Sequence, residues 1–255
     1  MRIEIELLKN TYNTYNTITT QFYTAVISFC CKSSMFDNEM IKTFETKANE
    51  LAKRVNSYKA NESFAKRDDI TLLANNFIGI ISEYAWKYFI NLTTIDTTVM
   101  ETEMTDISSQ IDLIHLKTKK TIEVRSSFVT NGINFAIFHE KGFDIIGPYM
   151  NGVKLAEIEK DFYLRTLFHY DNKKISSFIN EVKNSDYRNP FNIYLVGGAT
   201  KEMMNDEMLY ITKPMKTGQT IEEGIPQEAT HYKAIPIIKA LDTLKIRKEI
   251  IKLSV

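Results

Sequence analysis

Residues 105–128 read TDISSQIDLIHLKTKKTIEVRSSF. Two apolar-rich runs, 111–116 and 121–128, flank the polar and basic segment 117–120, which is the pattern of a β-hairpin. A turn centred on Lys117 and Thr118 sets residues whose numbers sum to 235 opposite one another, so Asp112 faces Glu123. Because side chains alternate with a period of two, Glu123 and Arg125 share that face. Leu113, Ile122 and Val124 point the other way and give the hairpin an apolar layer to bury. Two carboxylates and a cation therefore project from one small patch of sheet.

Such a patch has the chemistry of a magnesium-dependent phosphodiesterase. Mg²⁺ takes hard oxygen ligands, usually one or two carboxylates completed by water and substrate phosphate, and a bound metal acidifies its water into a nucleophile. A neighbouring cation stabilises negative charge growing on the phosphate. Asp112 and Glu123 are the candidate ligands, with Arg125 as the cation. The competing reading is a solvated sheet face, where an exposed ion pair contributes about 0–1 kcal/mol and has no function. Two carboxylates set directly opposite repel, which a purely structural patch has no need of.

Asp112 followed by Glu123-Val124-Arg125 on the next strand resembles the core motif of the PD-(D/E)XK nuclease superfamily. That family often supplies a further acid from a helix just before the hairpin. The segment NFIGIISEYAWKYFI, residues 76–90, resembles this helix and offers Glu83. The resemblance covers roughly residues 76–128 and implies Glu83, Asp112 and Glu123 as metal ligands. Arg125 stands where the family usually has lysine; since arginine stays protonated at any working pH, it implies electrostatic stabilisation and not proton transfer. The resemblance further implies a type II restriction endonuclease of a restriction-modification pair, acting on double-stranded DNA with Mg²⁺, or Mn²⁺ in its place, as a homodimer. Residues of C-terminal loops would contact the DNA, with Lys201, Lys213 and Lys216 as candidates. Ser126 and Ser127, at the strand end, are placed to offer hydroxyls to phosphate. The alternatives are a structure-specific repair or phage-defence nuclease and a relative that binds nucleic acid without cutting it.

The chain of 255 residues can bury a sizeable core. Lys+Arg and Asp+Glu both number 32, so net charge neither signals nor excludes a nucleic-acid partner, because phosphate affinity follows local charge. Cys30 and Cys31 are adjacent and are the only cysteines, which fits a reduced, cytoplasmic protein. The longest early apolar run, residues 22–31, is too short to span a bilayer, and no signal peptide or membrane partner is expected. Gly197-Gly198 lacks the flanking Gly-Lys-Ser/Thr of a phosphate loop, so no nucleotide cofactor is expected.

Elsewhere, residues 37–58 read as a helix capped by Asp37, and 70–92 as a long helix in which Gly79 would allow close approach to a sheet. Glu101 and Glu103 compete with Asp106 or Glu83 as additional acids. Segment 131–140 reads as a strand or loop after an Asn-Gly turn, 154–170 as helix-forming, 191–198 as a buried strand, and 234–252 as a strand leading to a helix. The composite is an α/β fold with a central mixed β-sheet flanked by helices, a restriction-endonuclease-like core over 71–255. Residues 1–70 are expected to form an N-terminal, mainly helical arm or subdomain.

Overall fold

The computed structural model describes residues 2–13, 19–33, 38–54, 68–92, 97–102, 112–139, 143–150, 158–214, 221–222, 225–226 and 231–253. Its strands are β1 (Arg2–Asn13), β2 (Thr19–Cys30), β3 (Val99–Glu101), β4 (Leu113–His115), β5 (Thr121–Val129), β6 (Asp144–Met150), β7 (Phe162–His169), β8 (Phe191–Thr200), β9 (Ile211–Pro214), β10 (Ile221–Glu222), β11 (Ile225–Pro226) and β12 (His231–Pro236). Its helices are α1 (Asn38–Arg54), α2 (Asp69–Asn91), α3 (Ile133–Phe138), α4 (Phe178–Asn184), α5 (Lys201–Met204) and α6 (Thr243–Lys252).

Seven strands form a mixed sheet in the order β1-β2-β8-β7-β5-β4-β3. The β5 and β7 strands run parallel, with Ile122 opposite Phe162 and Arg125 opposite Arg165, while the remaining neighbours are antiparallel. One face is covered by helices: Phe44 of α1, Phe77, Ile81 and Trp86 of α2, Phe178 of α4 and Ile246 of α6 share a core with Ile122, Val124 and Leu164 of the sheet. A smaller sheet, β6-β12-β9, lies over the other face. Ile145 and Ile235 of that sheet pack with Tyr163, Leu167 and Val196 of the main one, and α3 and α5 join them.

The first thirty residues differ from the helical arm expected of 1–70. Here β1 and β2 form a twelve-residue antiparallel hairpin, and β2 continues the central sheet through β8. Alternation explains it: Ile3 and Ile5 are partly buried between exposed Glu4 and Glu6, a period of two that suits a strand. Among the described residues up to 67 only α1 is α-helical, with a single 3₁₀ turn at Cys31–Ser33 before it, and the Asp37 cap lies outside them.

A second difference is larger in its consequences. Segment 154–170, expected as helix, holds β7, a strand at the centre of the sheet with seven of its eight residues buried. A strand covered on both faces loses its polar-apolar alternation, so FYLRTLFH carries no period by which to know it. Segment 131–140 contains the short helix α3, begun after Gly132 at φ 90. The Gly197-Gly198 pair serves the backbone: Gly197 has φ 123, and Gly198 exchanges hydrogen bonds with Leu241 at 2.9 and 3.0 Å, where a side chain on either glycine would collide with neighbouring main chain.

In α2, Asp68 caps the helix by accepting the Thr71 N–H at 2.6 Å. Trp86 is fully buried and donates its indole N–H to Thr166 Oγ1 of β7 at 3.1 Å. That bond, with the apolar packing around it, fixes how α2 sits across the sheet and so where Glu83 points.

Candidate active site

The hairpin has the expected register. Leu113 lies opposite Ile122 and Ile114 opposite Thr121, which sets Asp112, one residue before β4, against Glu123. His115 and Lys120 close the hairpin with an N–H to carbonyl bond of 2.9 Å, and Lys119 takes the positive φ that the turn requires. Leu113, Ile122 and Val124 are buried in the helix-covered core, leaving Asp112, Glu123 and Arg125 to the other side.

Both carboxylates are 8% exposed. Asp112 Oδ2 accepts the Val124 N–H at 2.7 Å, which pins its side chain against β5. Burial, followed by the charge of Glu123, nevertheless holds the Asp112 carboxyl well above its usual range; the Val124 N–H, Arg125 and Lys160 offset part of this. Arg125 Nη2 meets Glu123 Oε1 at 3.0 Å, while its Nη1 donates to the Tyr149 hydroxyl at 3.2 Å and its guanidinium stacks 4.7 Å from the Tyr149 ring.

Glu83 reaches the same neighbourhood from α2. Its carboxyl is also raised well above the usual range, by burial first and then by the charges of Asp112, Glu101 and Glu123, with Lys47 opposing them. Glu83 Oε1 lies over Gly79, one turn back: a methyl there would stand 3.9 Å from it, an ordinary contact, and would meet nothing else among the described residues. The glycine therefore keeps space beside the acid and does not bring the backbone onto the sheet. Gly79→Ala is expected to raise stability by about 1 kcal/mol through helix propensity, read as a higher denaturant midpoint at unchanged m-value.

Glu101 is engaged by two lysines. Lys47 and Lys87 bond its two oxygens at 2.6 and 2.8 Å, tying α1, α2 and β3 together. Burial raises its carboxyl, but those bonds win and leave it below the usual range. Glu103 and Asp106 lie outside the described residues, as does Lys216.

The DNA-contact candidates divide. Lys201 begins α5 and pairs with Glu159 at 3.1 Å. Lys213 is held by the buried Asp144, between β9 and β6. Ser126 is half-buried, and Ser127 Oγ accepts a 2.8 Å bond from Arg165 Nη2. Three further residues were not singled out from sequence: Lys160, 3% exposed, whose charge reaches Asp112; Tyr149, under Arg125; and Arg165, opposite Arg125 on β7. The only signal for Arg165 is a charge inside an apolar run, which becomes meaningful once that run is known to be a central strand.

Among the described residues, no three His, Cys, Asp or Glu side chains are arranged to close around an ion. The donor set that fits a hard divalent cation is the Asp112–Glu123 pair, two mutually repelling carboxylates on a firm hairpin; Mg²⁺ asks for no more than one or two, with water and phosphate for the rest. Glu83 is near enough to feel their charge and would act from the side.

No family model and no solved structure matches the chain. A 245-residue match at 30% identity, covering 84% of this chain and 83% of the other, links it to the uncharacterized protein MJECS01 of Methanocaldococcus jannaschii. The chain belongs to the MJECS01 family. Less than a fifth of the chain lies outside the match, whereas residues 1–70 make up more than a quarter of it. The MJECS01 likeness therefore extends into residues 1–70. No helix among the described residues is long and apolar enough to cross a membrane.

Proposed function

We propose that this protein is a Mg²⁺-dependent endonuclease hydrolysing phosphodiester bonds of double-stranded DNA, of the PD-(D/E)XK type and akin to a type II restriction enzyme. The observation that carries the reading is the hairpin register: it sets Asp112 against Glu123, with Arg125 beside Glu123 on the same face. The helix that precedes the hairpin adds Glu83 to that electrostatic neighbourhood, and the mixed sheet is the kind of core the resemblance implies.

Asp112 and Glu123 would hold the ion, Glu83 supporting them. When bound, Mg²⁺ supplies a water of lowered pKa and neutralises phosphate charge. The Val124 N–H fixes Asp112 so that its free oxygen keeps one direction. Arg125, steadied by Glu123 and Tyr149, presents a permanent positive charge to the transition-state phosphate. It accepts no proton at working pH, so proton removal from the attacking water falls to a carboxylate or to solvent. On a palindromic site the enzyme would act as a homodimer, one copy per strand; Mn²⁺ would replace Mg²⁺, and a companion methyltransferase would protect the host.

Calorimetric titration of Mn²⁺ into the full chain tests the ligand assignment: Asp112→Asn is expected to weaken binding at least tenfold. Equal affinity in wild type and variant would remove the pair from the metal site. Arg125→Lys is expected to retain cleavage within about tenfold if the residue acts as a charge, since one tenfold step corresponds to about 1.4 kcal/mol of transition-state stabilisation. A complete loss would assign it a bidentate phosphate contact instead.

A further inference from the structure

Behind Arg125 the main sheet carries a second arginine. Arg165 stands directly opposite Arg125 on the parallel strand β7, which places the two backbones about 4.8 Å apart, and both side chains leave the face covered by the smaller sheet. Arg165 is 2% exposed and among the largest fully enclosed side chains of the protein. Its Nη2 is anchored on Ser127 Oγ at 2.8 Å, but its Nε and Nη1 are buried and have no hydrogen-bond partner among the described residues.

Burial of a guanidinium with two unsatisfied donors is costly unless an anion meets it. Asp144 is the carboxylate whose charge reaches Arg165, and it is engaged by a cation of its own, Lys213. Burial, with the charge of Arg125 adding to it, lowers the Arg165 pKa to about 10; Tyr149, Asp144 and Tyr232 pull the other way. The roof over the pair is aromatic: Tyr149 of β6 packs edge-on against Tyr232 of β12 at 5.8 Å. Arg125, with a fifth of its side chain exposed, forms the open side of this enclosure, and Arg165 its closed end.

We propose that Arg165, with Arg125 and the Ser127 hydroxyl, forms an oxyanion subsite between the two sheets that takes a phosphate group of the bound strand, next to the phosphate at the Asp112–Glu123 pair. The strand assignment rests on the nuclease reading, whereas the anion site itself does not. An arginine fork suits a phosphate because it offers two parallel donors to two oxygens; in Arg165 the unspent Nη1 pairs end-on with the second N–H of Nη2, whose first N–H is held by Ser127. The seat lies along the same sheet face as the acids, so a backbone threading past Glu123 would meet it.

The test uses inorganic phosphate on the full chain, without metal or DNA, against chloride at equal ionic strength. Wild type is expected to melt roughly 3–6 °C higher at phosphate tenfold above its dissociation constant. Arg165→Met, which removes the buried charge at similar length, is expected to fold and to lose the phosphate-specific rise. Arg165→Lys keeps the charge without the fork and should retain a smaller one. A wild type indifferent to phosphate, or a rise of equal size in Arg165→Met, would overturn the subsite. If Arg165→Met does not fold, the decision passes to Arg165→Lys, where an undiminished rise would overturn it. A chain that binds phosphate yet cuts no DNA keeps the subsite and loses the nuclease reading; cleavage without a phosphate response does the reverse.

Discussion

Asp112→Asn is expected to reduce Mg²⁺-dependent cleavage by about 10³-fold, while the melting temperature of the metal-free protein stays equal or rises. The loss follows from removing one of two carboxylates that would hold the ion, whose electrostatic stabilisation amounts to several kcal/mol, at about 1.4 kcal/mol per factor of ten. The gain follows from the same geometry. Asp112 and Glu123 are buried together, and burial and the Glu123 charge raise the Asp112 carboxyl, so a neutral amide removes repulsion, and its oxygen can still accept the Val124 N–H that Asp112 accepts at 2.7 Å. Cleavage assays beside thermal melts separate the two effects. A variant that melts several degrees lower would mean that Asp112 is structural, and lost activity would then say nothing about metal.

Trp86→Ala carries the largest expected cost in stability. The residue is fully buried between α2 and the sheet, packs edge-on against Phe89 at 6.2 Å and donates to Thr166 Oγ1. Truncating a buried tryptophan costs about 3–5 kcal/mol, against a total of roughly 5–15 kcal/mol for a folded protein. At this chain length that corresponds to a fall in melting temperature of roughly 6–20 °C. Because Trp86 also fixes α2 over β7, the surviving folded fraction should bind Mn²⁺ more weakly as Glu83 loses its position. Trp86→Phe, which keeps most of the volume and loses only the N–H, should lower the melting temperature by far less. Equal falls in the two variants would place the weight on the hydrogen bond and not on packing.

The hairpin was legible because two signals agreed. Apolar Leu113, Ile122 and Val124 demanded one face, and the basic turn fixed the register that paired Asp112 with Glu123. Helix α2 was legible from its long apolar stripe, and with it Glu83. What stayed hidden depends on strand neighbours distant in sequence. The β7 strand hid because a central strand shows no alternation, and with it went Arg165, whose meaning depends on lying beside Arg125 in a parallel pair. The lysines that hold Glu101 were equally hidden, since Lys47 and Lys87 reach its two oxygens across separations of 54 and 14 residues. The β1-β2 hairpin had its alternation in view at Ile3 and Ile5, but its long-range partner β8 did not announce itself.

The most direct test of the central claim is an incubation of the purified full chain with long double-stranded DNA of mixed sequence, with Mg²⁺ and with chelator, beside Glu123→Gln. Glu123 lies at the hairpin register on which the whole reading depends. The account predicts cleavage that needs both the metal and Glu123, as discrete fragments for a sequence-specific enzyme or as a smear for one that follows DNA shape. Cleavage that persists in chelator or in Glu123→Gln, or none by wild type on methylated or unmethylated DNA, would contradict it.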